Sequence, residues 1–287
     1  MKKSRKWLPY FLFILAVTAF FIYYLFPSDK IKGLIIFNLN KTYPDINIAI
    51  DHVKPAFPPG LMLYNVNFYH THHPLFTVKQ IKIAPRFLSL FRSKIIFFFK
   101  GRAYTGIFEG KGEFTKKRPE VMIDGKLSGI RIKEITTIKD VMGRNMSGML
   151  NGKFTYRNKK EYGDNIKAEL VISDGQLDLA EPLLQMESIP FKKITADLVM
   201  KNMNLQIKKC IINGDQIDGR ISGSVTFKNI PGQSYLKLSG RIQPQPLLIE
   251  KLGKDLPENL LSKKIFGKNG MHIRVYGTLD NPRLFLN

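Results

Sequence analysis

Hydrophobic positions along this chain follow two regimes. From Trp7 to Phe26 the run WLPYFLFILAVTAFFIYYLF holds twenty residues and no charge. At about 1.5 Å of helical rise per residue, that predicts a helix able to cross a ~30 Å hydrocarbon layer. Ile31, Leu34, Ile35 and Leu39 continue at near-helical spacing and predict a stalk over residues 27–44. After Pro44 the period changes to two. Alternation predicts strands over 46–53, 61–68, 75–84, 94–100, 103–114, 121–129, 147–156, 166–173, 194–200, 205–212, 217–227, 235–242 and 271–279. Three helical stretches interrupt them: 86–92; 133–142, with Ile135, Ile138, Val141 and Met142 on one stripe; and 247–266, broken at Pro257. Asp124-Gly125, Asp174-Gly175 and Asn213-Gly214 are turn dipeptides and predict hairpins. The expected fold class is therefore mainly β. An N-terminal transmembrane helix precedes a curved antiparallel β-meander, either a groove or an open sandwich, with a few edge helices. No Ser- or Pro-rich linker divides residues 45–287, so one continuous β-rich domain is expected there.

A short pattern recurs inside these strands: Lys126-Leu127-Ser128-Gly129, Met149-Leu150-Asn151-Gly152, Arg220-Ile221-Ser222-Gly223, Lys237-Leu238-Ser239-Gly240 and Arg274-Val275-Tyr276-Gly277. Each glycine stands two residues after an aliphatic side chain, so both occupy the same strand face. Extending the parity groups Leu150, Gly152 and Phe154 in one strand and Ile221, Gly223 and Val225 in another, with Leu238, Gly240, Val275 and Gly277 in the last two. Glycine weakens a strand interior unless something gains from the missing side chain. One reading is a neighbouring ring or helix packed into each gap. The other is a coiled sheet whose apolar concave face admits a lipid chain.

Charge narrows the partner class. Lys and Arg number 45 against 23 Asp and Glu, a net charge of +22, which favours polyanionic surfaces. The basic residues Lys2, Lys3, Arg5 and Lys6 precede the apolar run. By the positive-inside bias they keep residues 1–6 in the cytoplasm and send everything after the 7–26 span to the far side of the membrane. A cleaved signal peptide is the competing reading; the run is long for one and ends without a small-x-small cleavage pattern. One cysteine, Cys210, excludes an intramolecular disulfide, a Cys-rich zinc site and a CxxC redox motif. On its strand it reads as a small packed residue rather than a reactive thiol.

Several landmarks then resemble a known family. They are the N-terminal apolar segment, Phe57-Pro58-Pro59-Gly60-Leu61-Met62-Leu63-Tyr64-Asn65-Val66, Phe87-Leu88-Ser89-Leu90-Phe91, Gly106-Ile107-Phe108-Glu109-Gly110 and Gly277-Thr278-Leu279-Asp280-Asn281-Pro282-Arg283-Leu284. Together they resemble the type II secretion system protein N family, and in pieces the broader AsmA/TamB-like group of inner-membrane-anchored periplasmic proteins, some with phospholipid-carrying β-grooves. The resemblance implies a single-pass inner-membrane protein with a periplasmic bulk and a non-catalytic accessory role in type II protein secretion. The alternative it implies is phospholipid binding or transport along a β-groove. Neither group brings a catalytic motif.

No GxSxG, Walker A, HExxH or EF-hand pattern occurs, and the glycines from Gly106 to Gly112 have the wrong spacing for a dinucleotide fingerprint. No enzymatic activity and no cofactor are expected. His70 and His72 of His70-Thr71-His72-His73 can share a strand face and act as metal ligands, although a solvated turn before Pro74 is the simpler reading. Asp215 and Asp218 read as turn acids at strand ends rather than calcium ligands. Basic clusters at Lys116-Lys117-Arg118, Lys159-Lys160, Lys192-Lys193, Lys208-Lys209 and Lys263-Lys264 suit anionic lipid headgroups, each contributing about 1 kcal/mol near such a surface, or serve as edge lysines against aggregation. The expected partners are membrane phospholipid and other secretion-system or envelope proteins. No nucleic-acid partner is expected. The candidate groove face is Leu150, Gly152, Phe154, Ile221, Gly223, Val225, Leu238, Gly240, Val275 and Gly277.

Overall fold

The computed structural model describes residues 7–42, 46–57, 59–70, 73–116, 120–159, 163–183, 186–228, 230–246, 248 and 270–286. The chain divides into two compact units, Met1–Ala84 and Pro85–Asn287.

The first unit opens with α1 (Trp7–Tyr24) and α2 (Ser28–Thr42). The expected twenty-residue span stops short. Leu25 is a turn, Phe26 and Pro27 are non-helical, and the steric demand of Pro27 on the residue before it disfavours helical geometry at Phe26. Eighteen residues of helix reach only about 27 Å at ~1.5 Å each. Among the described residues no helix is long and apolar enough to cross a membrane. This overturns the expected transmembrane helix and with it the single-pass inner-membrane placement. The basic flank Lys2, Lys3, Arg5 and Lys6 lies outside the described residues.

The segment read as a stalk is α2, which lies on β1 (Ile46–Ala56). The Ser28 hydroxyl donates to the Val53 carbonyl at 2.6 Å, and the Lys32 ammonium to the Asp51 carbonyl at 2.9 Å. β1 pairs antiparallel with β2 (Gly60–His70), and β2 with β3 (His73–Pro85). Opposite Asp51 the ladder lapses at Asn65, whose φ of 47° twists the strand. The buried positions shift with it, from Ile48 and Ile50 before the twist to Val53 after it, joined by Leu63, Val66 and Val78.

In the second unit α3 (Phe87–Leu90) is pinned to β4 (Lys94–Ala103) by Ser89. Its buried hydroxyl donates to the Arg86 carbonyl and accepts from the Ile96 N–H at 2.9 Å. The remaining strands are β5 (Gly106–Thr115), β6 (Glu120–Arg131), β7 (Met149–Lys159), β8 (Gly163–Leu183), β9 (Met186–Lys201), β10 (Asn204–Asn213), β11 (Ile217–Thr226), β12 (Tyr235–Pro244), β13 (Met271–Thr278) and β14 (Pro282–Leu286), with α4 (Thr136–Met142) between β6 and β7. Each pairs antiparallel with its sequence neighbours, an open meander in chain order from β4 to β14. The expected β-meander is present, and the alternating pattern locates thirteen of its strands in the chain as a whole.

The turn expectations fared unevenly. Asn213-Gly214 does end β10, but Asp124-Gly125 lies inside β6, and Asp174-Gly175 lies inside the 21-residue β8. Asp174 takes φ 51° there, and pairing with β9 resumes at Gly175↔Phe191. A positive-φ residue within a paired strand makes a local kink instead of a hairpin. Two tight hairpins fall at Tyr104-Thr105 (φ 48° and 62°) and Asn202-Met203 (φ 44° and 64°). Positive φ at both central positions is the type I′ signature, carried here largely by residues that do not advertise it. The stretch 247–266 falls almost wholly outside the described residues.

Candidate functional site

Register converts the alternation into two faces. Opposed residues of an antiparallel pair project from the same side of the sheet. From Gly152 the pairs run to Leu170, Ala196, Cys210, Ile221, Gly240 and Ile273, one row across seven strands. The next row runs from Phe154 through Ala168, Leu198, Ile207, Gly223 and Leu238 to Val275. Both rows are apolar throughout, as are those that flank them. At about 4.8 Å between strands, seven strands give a face ~29 Å wide. The ladder slips between Ile207 and Cys210 in β10, yet both residues still oppose apolar partners on either side, because one extra residue of β10 is absorbed in the irregularity.

The other face is polar. Lys153 opposes Glu169, which opposes Asp197, and Arg220 opposes Arg241. On β4 and β5, Lys100 bridges Glu109 at 3.0 Å and Lys111 bridges Glu113 at 2.6 Å. The Lys111 hydrogen bond, ahead of the opposing cost of desolvation, holds the Glu113 carboxyl below its ordinary value.

All ten candidate groove residues therefore lie on one continuous face. Val225 is buried and the other nine are half-buried. The glycines, however, are not openings. A Cβ at Gly223 would collide with the Lys237 carbonyl and the Leu238 Cα of β12, one at Gly240 with the Arg220 carbonyl of β11, and one at Gly152 with the Glu169 carbonyl and the Leu170 side chain of β8. At Gly277, where φ is 114°, the Asn281 carbonyl is close. At Gly152, Gly223 and Gly240 the neighbouring strand fills the gap, and at Gly277 the turn before β14 does, so these glycines permit close backbone approach. Elsewhere rings fill the gaps: Phe97 over Gly112, Phe99 over Gly110 and Phe154 over Gly125 towards β4, and Phe191 over Gly175 between β8 and β9.

Sequence reasoning missed the contribution of β8, β9 and β10 to this face, because no glycine motif marks Leu170, Ile172, Ala196, Leu198 or Ile207. The alternation of Ile166, Ala168, Leu170 and Ile172 was the signal that could have found it. Cys210 sits in the middle of the face, half-buried, and burial pushes its thiol up.

The remaining candidates separate from this face. His72 lies outside the described residues, as does the side chain of His70. Asp215 pairs with Lys192 at 2.5 Å, and Asp218 accepts from the Gly214 N–H at 3.1 Å and from the Gln245 amide. These are turn contacts of the kind expected, and among the described residues no group of three metal-ligating side chains comes together. Lys116 donates to the Leu90 carbonyl at 2.8 Å, while Lys160, Lys263 and Lys264 lie outside the described residues. Comparison with protein-family models, with curated proteins and with solved structures finds no match to this chain.

Proposed function

We propose that the second unit binds lipid acyl chains along its apolar face, the sheet curving there into a trough. The observation that carries this reading is the pairing of apolar with apolar residues from β7 to β13 along one face of a single sheet. Among the described residues, the helices α3 and α4 of this unit have four and seven residues, too few to cover such a face. A face ~29 Å wide is about twice the depth of one leaflet of a ~30 Å hydrocarbon core, enough for an extended chain. Each buried methylene contributes about 0.8 kcal/mol. The chain needs no nucleophile or metal for this task, and its excess of Lys and Arg suits an anionic headgroup at the rim.

The test is extraction of the purified full-length chain followed by mass spectrometry. Near-stoichiometric phospholipid is expected; a lipid-free, stably folded protein would sink the reading. The accessory role in type II secretion, which rests on the short landmark motifs, remains a second proposal. It is favoured by β14, which pairs only with β13 among the described residues and so offers a free edge for strand addition. Deletion should then lower export of folded substrates while leaving their synthesis unchanged. Normal export would remove that role and leave lipid binding standing.

A further inference from the structure

The polar face of β11–β14 concentrates positive charge without matching acids. Arg220 opposes Arg241, Arg241 opposes His272, Lys237 opposes Tyr276, and Tyr276 opposes Arg283. Asp218 and Asp280 are the only acids in residues 217–244 and 271–286, and Asp218 is already held by Gly214 and Gln245. Arg241 meets His272 at 3.0 Å. Arg274 and Arg283 are both exposed and have no hydrogen-bond or ion-pair partner among the described residues.

These two arginines stand on one cleft of about 630 Å³, whose walls include Tyr235, Tyr276, Thr278 and Phe285. The Tyr276 and Phe285 rings meet edge to face, their centroids 6.3 Å apart. The volume falls within the usual range of small-molecule sites. Two guanidiniums without a counter-charge favour a dianion over a single carboxylate, because each planar fork can donate two hydrogen bonds to phosphate oxygens. Three aromatic rings beside them favour a flat, weakly polar group attached to that anion. We propose that the cleft binds a phosphate monoester carrying an aromatic ring, with Arg274 and Arg283 on the phosphate and Tyr235, Tyr276 and Phe285 against the ring. The site lies on the face opposite Val275 and Leu284, so it stands or falls independently of lipid binding.

Titration of the full-length chain with phenyl phosphate, inorganic phosphate and phenol tests this. Phenyl phosphate should bind at least about tenfold more tightly than inorganic phosphate, and phenol should not bind measurably. Arg274→Gln and Arg283→Gln should each weaken phenyl phosphate about tenfold or more, with the unfolding midpoint and lipid content unchanged. Tyr276→Ala should erase the preference over inorganic phosphate. No binding of phenyl phosphate at millimolar concentration, or equal binding by the wild type and both arginine variants, would overturn the proposal. So would short-chain phosphatidylglycerol binding as tightly as phenyl phosphate and losing that binding in Arg274→Gln, since the cleft would then be a lipid-headgroup site.

Discussion

At Gly223 the backbone takes φ 143°, and the Lys237 carbonyl occupies the place a side chain would need. Gly223→Leu combines a disfavoured conformation with overpacking and should cost about 3 kcal/mol or more. Gly219 lies four residues earlier in β11 on the same face, but the nearest atom to its Cβ position is 3.5 Å distant. Gly219→Ala should change stability by less than about 1 kcal/mol, and urea unfolding of the two variants separates a glycine that the ladder requires from one it tolerates. Glu113 offers a pH test. Its carboxyl is held below the ordinary value, so the stability gained from Lys111 is complete above the unfolded-state value and fades as pH falls through the lowered one. The pair is partly exposed to solvent, and the loss in Glu113→Gln at neutral pH should stay under about 1 kcal/mol. Cys210 is a third probe. Burial raises its thiol, so alkylation at pH 8 should run far more slowly in the folded chain than in urea. Stripping bound lipid should speed it, whereas an unchanged rate would place the lipid elsewhere.

Between strands, the aromatic ring over a glycine is the repeated unit on the β4–β7 side of the sheet. Phe154 of β7 projects across Gly125 of β6, its register partner, and a Cβ there would meet the ring. Phe154→Ala should cost about 3 kcal/mol by removing the ring from its packed site. Gly125→Ala should be destabilising in the wild type and close to neutral once Phe154 is alanine. A double-mutant cycle measures that coupling, and strictly additive costs would show that ring and glycine do not form one unit. In the first unit, Ser28 links α2 to the Val53 carbonyl of β1, and Ser28→Ala removes a half-buried hydrogen bond worth about 1 kcal/mol.

Across the second unit, the two faces divide the chemistry. Leu238 and Ser239 are neighbours in β12 that point to opposite sides. Leu238→Glu places a charge on the apolar face and should abolish lipid retention, whereas Ser239→Glu should leave retention intact. Retained lipid in a folded Leu238→Glu protein would separate the lipid from this face. The polar side, with the cleft at Arg274 and Arg283, is a second surface of the same strands. One β-sheet can thus present an apolar and a cationic site back to back, because successive side chains alternate between its faces.

Alternation alone determined that the chain is β-dominated and where most of the strands lie. The period of two is a local property of pleated backbone and is printed directly in the order of residues such as Ile221, Gly223 and Val225. Same-strand parity also placed neighbours such as Ile221, Gly223 and Val225 on one face, where the register puts them. The end of α1 was harder to read, since hydropathy registers only that Trp7 to Phe26 is apolar, whereas Pro27 and the geometry before it decide where the helix stops. Tertiary pairing decided the rest. Only the register joins β8, β9 and β10 to the glycine-marked strands, brings Arg274 and Arg283 onto one cleft, and shows that the gaps at Gly152, Gly223 and Gly240 are filled by a neighbouring strand and the gap at Gly125 by a ring. Those facts depend on contacts between residues far apart in sequence, and no local pattern encodes which distant strand will lie alongside.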